Sequence, residues 1–164
     1  MRYVTLGYME GDEDVIALLN EQLTAELTAI NQYFLHSKMQ QNWGFTRLAE
    51  HTRAESFDEM RHAELLTDRI LFLEALPNYQ RLDALRIGQT IPEQLRSDLA
   101  VEMEAVARLR PGIEFMRSRG DVTSARIFEK ILEDEEEHAD YLETELELVG
   151  RLGEQLYLQR FTEP

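Results

Sequence analysis

Two short segments of this chain share one pattern: Glu59 and His62 stand three residues apart, and so do Glu135 and His138. On a helix that step puts a carboxylate and an imidazole on the same face, one turn apart. Oxygen and imidazole donors together suit first-row transition metals. One such pair has little weight in a chain with 32 acidic residues and 4 histidines. Two further glutamates change that. Glu26 precedes Glu59 by 33 residues, and Glu102 precedes Glu135 by the same 33. The halves are offset by 76 at 26 and 102, at 59 and 135, and at 62 and 138, and Gly44 and Gly120 obey the same offset.

In a helical hairpin, residues equidistant from the turn lie at one height. The midpoint of 26 and 59 is 42.5, beside Trp43-Gly44, and that of 102 and 135 is 118.5, beside Arg119-Gly120. Each lone glutamate therefore faces a Glu-x-x-His pair across its own hairpin. Stacking the hairpins gathers Glu26, Glu59, His62, Glu102, Glu135 and His138 at one level. Most glutamates on long helices are solvated, and the shared spacing is what separates these from the rest. In the run Glu133 to Glu137, only Glu135 satisfies both the step to His138 and the step from Glu102. Glu136 lies about 100° further round the helix and reads as a surface charge. His36 and His51 have no partner in the repeat and read as surface or interface residues.

Four carboxylates buried together without counter-charge would take up protons or force the bundle open. Two divalent cations balance them and convert that cost into binding energy. The donor set favours iron or manganese over calcium or magnesium, with zinc as a competitor. A dinuclear centre follows, in which Glu59 and Glu135 bridge the metals, Glu26 and Glu102 are terminal, and each histidine binds one metal. One Glu from each of two helices plus Glu-x-x-His from the other two is the ligand arrangement of the di-iron and di-manganese carboxylate bundles.

The elements that must hold these residues are helices. Eight glycines and four prolines stand apart among stretches rich in Leu, Ala, Glu, Gln and Arg. The first helix opens at Gly11 or Asp12 and ends near Trp43, with Gly44 at its C-terminal cap. A second, capped by Thr46, runs to Leu76 before Pro77. Pro77 to Ile91 lacks periodicity and is long enough to cross the bundle, so that the third helix runs parallel to its predecessor. Pro92 occupies the first turn of that third helix. Pro111-Gly112 predicts a kink in it, and it ends near Arg119-Gly120. Asp121 caps a fourth helix running to about Gly150, and Leu156 to Phe161 predicts a short fifth. The expected fold is an all-α four-helix bundle with one long crossover and a short C-terminal fifth helix. At 164 residues it is a single domain over 1–164, with residues 1–10 an extension of unassigned role.

The segments LTAELTAINQYFLH, ESFDEMRHAE, RSDLAVE and ILEDEEEHADYLETELEL, which carry or adjoin the six ligands, resemble bacterioferritin, and the similarity runs from about Gly11 to Leu158. The resemblance implies a ferritin-like fold and a cytoplasmic homo-oligomeric shell of 24 subunits that oxidises Fe(II) with O2 or H2O2. That oxidation would occur at the dinuclear iron site, with Fe(III) mineral stored inside the shell. It also implies heme b shared by two-fold dimers, with Met60 of each subunit as axial ligand and Arg53 and Arg61 as candidate propionate partners. A ferredoxin-type reductant for iron release and a role for Tyr33 beside the centre belong to the same expectation. Asp58 matches an additional inner-surface iron site of some bacterioferritins, but Ala54 stands where that site has a histidine. The competing reading is a di-iron or di-manganese oxidase or peroxidase on the same bundle.

Composition excludes other classes. A net charge of −15 argues against nucleic acid or anionic membrane as partner. The chain has no cysteine, so thiolate metal sites and disulfides are ruled out. No apolar run approaches the roughly 20 residues needed to span a bilayer, and residues 1–14 lack a signal-peptide core, which predicts a cytoplasmic protein.

Overall fold

The computed structural model describes residues 10–162, so the 1–10 extension lies almost wholly outside the described residues. Five helices follow one another: α1 (Glu13–Asn42), α2 (Thr46–Phe72), α3 (Ile91–Ser118), α4 (Val122–Leu152) and the short α5 (Glu154–Gln159). No strand occurs among the described residues. α1 pairs chiefly with α2, and α3 with α4, giving two hairpins packed face to face. The Asp12 carboxylate accepts from the Asp14 and Val15 amides to cap α1, and Asp121 accepts from the Ser124 amide to cap α4.

Both intrahairpin turns are closed by glycine in the left-handed region, Gly44 at φ 91° and Gly120 at φ 79°. In each turn the amide two residues past the C-cap returns to the helix, Phe45 to the Gln40 carbonyl and Asp121 to that of Met116. α2 ends the same way, but earlier than its sequence suggests. Glu74 adopts φ 60° and the Ala75 amide bonds the Ile70 carbonyl, so the helix stops at Phe72 rather than at Leu76. A non-glycine in that conformation leaves no mark in the sequence. Thr46 is the first residue of α2 and not its cap. α3 continues as one helix through Pro111. Gly112 there serves packing, because a Cβ would stand 2.7 Å from the buried Phe128 ring.

Two apolar clusters fill the bundle. One, around Leu23, Leu66, Leu109 and Phe128, occupies the end where α1 and α4 begin. The other joins Leu48, Ile91, Leu95 and Leu142 to Tyr157 and Phe161, and so anchors the short α5. The six candidate ligands lie between them along α1 to α4, in a layer with an apolar cluster above and below.

The crossover from Leu73 to Thr90 has no regular structure, so its backbone amides need outside partners. A polar stripe on α1 supplies them. Asn20 Oδ1 accepts from the Asn78 amide (2.7 Å), Thr28 Oγ1 from Asp83 (2.9 Å), Gln32 Oε1 from Arg86 (3.0 Å) and His36 Nε2 from Gly88 (3.0 Å). Gln32 Nε2 and His36 Nδ1 also donate to the Asp98 carboxylate on α3. His36 is therefore fully buried and doubly bonded, which corrects its reading as a surface residue. Its role is to tie the crossover and α3 to α1. Replacing His36 by Leu strands the Gly88 amide and one Asp98 contact, each worth about 1–3 kcal/mol when buried. Thermal or denaturant unfolding of His36→Leu should show a loss of about 2–6 kcal/mol, and an unchanged midpoint would contradict the role given to the strap.

Candidate metal centre

The six residues picked out by spacing converge in the core, and none is more than 9% exposed. Glu26 comes from α1, Glu59 and His62 from α2, Glu102 from α3, and Glu135 and His138 from α4. His62 Nδ1 lies 3.1 Å from Glu135 Oε1, 3.4 Å from Glu59 Oε2 and 3.6 Å from Glu26 Oε2. His138 Nδ1 repeats the arrangement, 3.2 Å from Glu59 Oε1, 3.4 Å from Glu135 Oε2 and 3.8 Å from Glu102 Oε1. The two imidazole centroids are 6.4 Å apart.

Two overlapping groups result, each offering four donor atoms within 4.8 Å of one another. Glu26, Glu59, His62 and Glu135 form one, and Glu59, Glu102, Glu135 and His138 the other. Glu59 and Glu135 belong to both, the arrangement that two adjacent cations with bridging carboxylates require. Several of these inward atoms have no hydrogen-bond partner: Glu59 Oε1, both Glu135 oxygens, and Nδ1 of each histidine. Buried polar atoms are nearly always satisfied, and cations are what this geometry can accept.

When no cation is bound, protons must supply the counter-charge. Burial raises Glu26 well above the carboxylate range, and the charges of Glu135 and Glu59 push it further. Burial does the same for Glu102, again reinforced by Glu135 and Glu59. Burial opposes the charged imidazoles, yet Glu135, Glu26 and Glu59 outweigh it and raise His62 strongly. Glu135, Glu55 and Glu59 do the same for His138. Glu135 remains ionised, because its contacts with Glu102 and the two histidines overcome its burial.

The outward ring nitrogens meet carboxylates that the spacing argument did not select. His62 Nε2 is 3.0 Å from Asp134 Oδ2, and Asp134 Oδ1 accepts from Lys130 at 2.7 Å. His138 Nε2 is 2.7 Å from Glu55 Oε2 and 3.8 Å from Asp58 Oδ2. Burial disfavours the Glu55 carboxylate, but the His138 and His51 imidazoles hold it ionised down to about 2. Such partners fix which nitrogen faces a metal, here Nδ1, and raise its basicity. Asp58 and Asp134 are themselves 76 residues apart, so the repeat runs as Asp-Glu-x-x-His, and that signal was available in the sequence. Gln22 Nε2 donates to Glu26 at 2.7 Å, and the Tyr33 hydroxyl donates to Glu102. Glu136 is half exposed and pairs with Arg110, as expected of a surface charge.

Met60 stands apart from this layer. Its side chain is half exposed, like those of Phe34 and Phe57, and Arg53 lies over the Phe57 ring at 4.9 Å. Arg61 pairs with Asp58. His51 is partly exposed, 3.2 Å from Glu55, and its ring centroid is 3.9 Å from that of Tyr141.

These features define a class, and comparison with known proteins agrees: the Ferritin-like domain model matches residues 16–152. The chain is 69% identical over 149 residues to bacterioferritin BfrA of Mycobacterium tuberculosis, covering 91% of this chain and 94% of that protein. It is 64% identical over 155 residues to a bacterioferritin of Streptomyces coelicolor, covering 94% and 93%. A solved structure of Mycobacterium tuberculosis bacterioferritin BfrA superposes with a TM-score of 0.93 at 66% identity, covering 94% of this chain and 98% of the other. The chain belongs to the bacterioferritin family, whose members store iron.

Glu26, Glu102, His62 and His138 all hold protons more tightly than free side chains do, and a bound cation must displace them. Loading with Co(II) or Zn(II) near neutral pH should therefore release protons, and apparent affinity should rise with pH. Calorimetry in buffers of different ionisation enthalpy measures the release; binding without net proton release would contradict the protonation pattern.

Proposed function

We propose that the chain is a ferroxidase subunit of an iron-storage shell, with Fe(II) as the substrate of the six-residue centre. Glu59 and Glu135 hold two ferrous ions side by side, Glu26 with His62 and Glu102 with His138 complete one position each, and the four carboxylates match the four charges. Two ferrous ions lose one electron each. Together they reduce O2 to H2O2, or H2O2 to water, with two protons taken up in either case. The observation that carries this reading is the sharing of Glu59 and Glu135 between two otherwise separate donor groups.

The spaces beside the centre suit ions and a small oxidant. The space beside Tyr33, Glu102 and His138 is about 20 Å³, room for about one water. A wider cavity of about 490 Å³, lined by Asp58, His62, Asp134 and His138 among others, gives ions an approach to both histidines. Glu26→Ala and Glu135→Ala each remove a direct ligand. Either should lower the rapid phase of Fe(II)-dependent O2 consumption by more than the roughly 10–100-fold typical of outer-sphere partners. Wild-type rates in both variants would refute the ferroxidase reading.

The half-exposed Met60, with Phe34 and Phe57 near it in sequence or on the neighbouring helix, supports a subunit face that would bind heme b, with Met60 as the residue that would hold its iron. The group would supply electron transfer between the shell's exterior and its iron. The assembled particle should elute at about 24 times the 19.2 kDa chain, and wild-type protein should show a Soret band that Met60→Leu loses. Low-spin heme retained in Met60→Leu would exclude this residue as ligand.

A further inference from the structure

The internal repeat is obeyed by every inward-facing ligand and broken in the layer just behind them. Asp134 lies behind His62, and its 76-residue counterpart Asp58 lies near His138. One turn earlier the halves diverge: Lys130 corresponds to Ala54, and Ile131 to Glu55. The Lys130 ammonium donates to Asp134 at 2.7 Å, so the carboxylate behind His62 is shared with a cation. Ala54 offers Asp58 no ammonium, and Asp58 pairs instead with the Arg61 guanidinium, so the carboxylate that backs His138 without a lysine or arginine on it is Glu55. Ile131 is buried in the apolar cluster, whereas Glu55 reaches His138 Nε2 at 2.7 Å, closer than Asp58 at 3.8 Å. Besides His138, the imidazole that Glu55 faces is His51, at 3.2 Å.

A carboxylate against the outer nitrogen strengthens the inner one as a metal donor. The strengthening is greater where no ammonium competes for the carboxylate. The terminal glutamates differ in the same sense of broken symmetry, since Glu26 accepts from an amide (Gln22) and Glu102 from a phenol (Tyr33).

We propose that the two metal positions are unequal, and that Glu55, acting through His138, makes the position formed with Glu102 and His138 the tighter one. Glu55 is thus a positioning residue for that half of the centre, and Asp134 serves the other half more weakly. This rests on the dinuclear reading of the centre. It predicts that the first cation to bind takes the His138 position and the second the His62 position.

Co(II) is a suitable probe, because its visible absorption reports ligand geometry separately from oxidation. Assembled, metal-free protein titrated with Co(II) should bind two ions per subunit in two distinguishable steps. Glu55→Gln keeps the side chain's shape and removes its charge. It should weaken the tighter step by about 10–100-fold and leave the other step unchanged. Asp134→Asn should weaken the looser step alone. Particle size by gel filtration confirms that both variants assemble. The inference is overturned if Glu55→Gln leaves the tighter step intact, if it weakens both steps equally, or if Asp134→Asn is the variant that abolishes the tighter step. Fewer than two ions per subunit in the wild type would overturn the dinuclear reading and this inference with it.

Discussion

Four carboxylates share one buried layer of this bundle, and the groups around them answer the need to neutralise that charge. In water their repulsion would be small. Between two apolar clusters it is large, because little solvent screens it and each anion has lost its hydration. Protons on Glu26, Glu102 and the two imidazoles relieve the repulsion when no cation is bound, and divalent cations relieve it more completely. A layer that is costly without positive charge is suited to accept it.

The fold serves that layer. Two hairpins of matched length place one glutamate opposite a Glu-x-x-His pair twice over, and the crossover lets the second hairpin repeat the first. The strap on α1 holds the crossover by its backbone amides and reaches through Gln32 and His36 to Asp98, one turn from Glu102 on α3. Scaffold and site therefore share a polar network on one side, and the apolar clusters seal it at both ends. The short α5 contributes through Tyr157 and Phe161, which close the second cluster.

The convergence of the six side chains was legible in the sequence because helical hairpins convert height into residue spacing. Glu135 could be told from its acidic neighbours on that ground alone. The carboxylates behind the histidines were harder to read. Asp58 and Asp134 obey the repeat but sit beside stronger signals, and Glu55 has no counterpart at Ile131. His36 was misread for a similar reason: its partners are backbone and a distant aspartate, neither of which leaves a periodic trace. The end of α2 escaped prediction because Glu74 does what a glycine ordinarily does. Periodic geometry was readable; long-range contacts and unusual backbone were not.

The central claim is that these six residues hold two cations bridged by Glu59 and Glu135. The most direct test is a crystal structure of the protein loaded with Co(II) or Fe(II), with the metals located by anomalous scattering. The account predicts two peaks per subunit, about 3.5–4 Å apart as in other two-metal sites. One should be bound by Glu26 and His62, the other by Glu102 and His138, with Glu59 and Glu135 touching both. A single peak, or metals bound away from these six side chains, would contradict it.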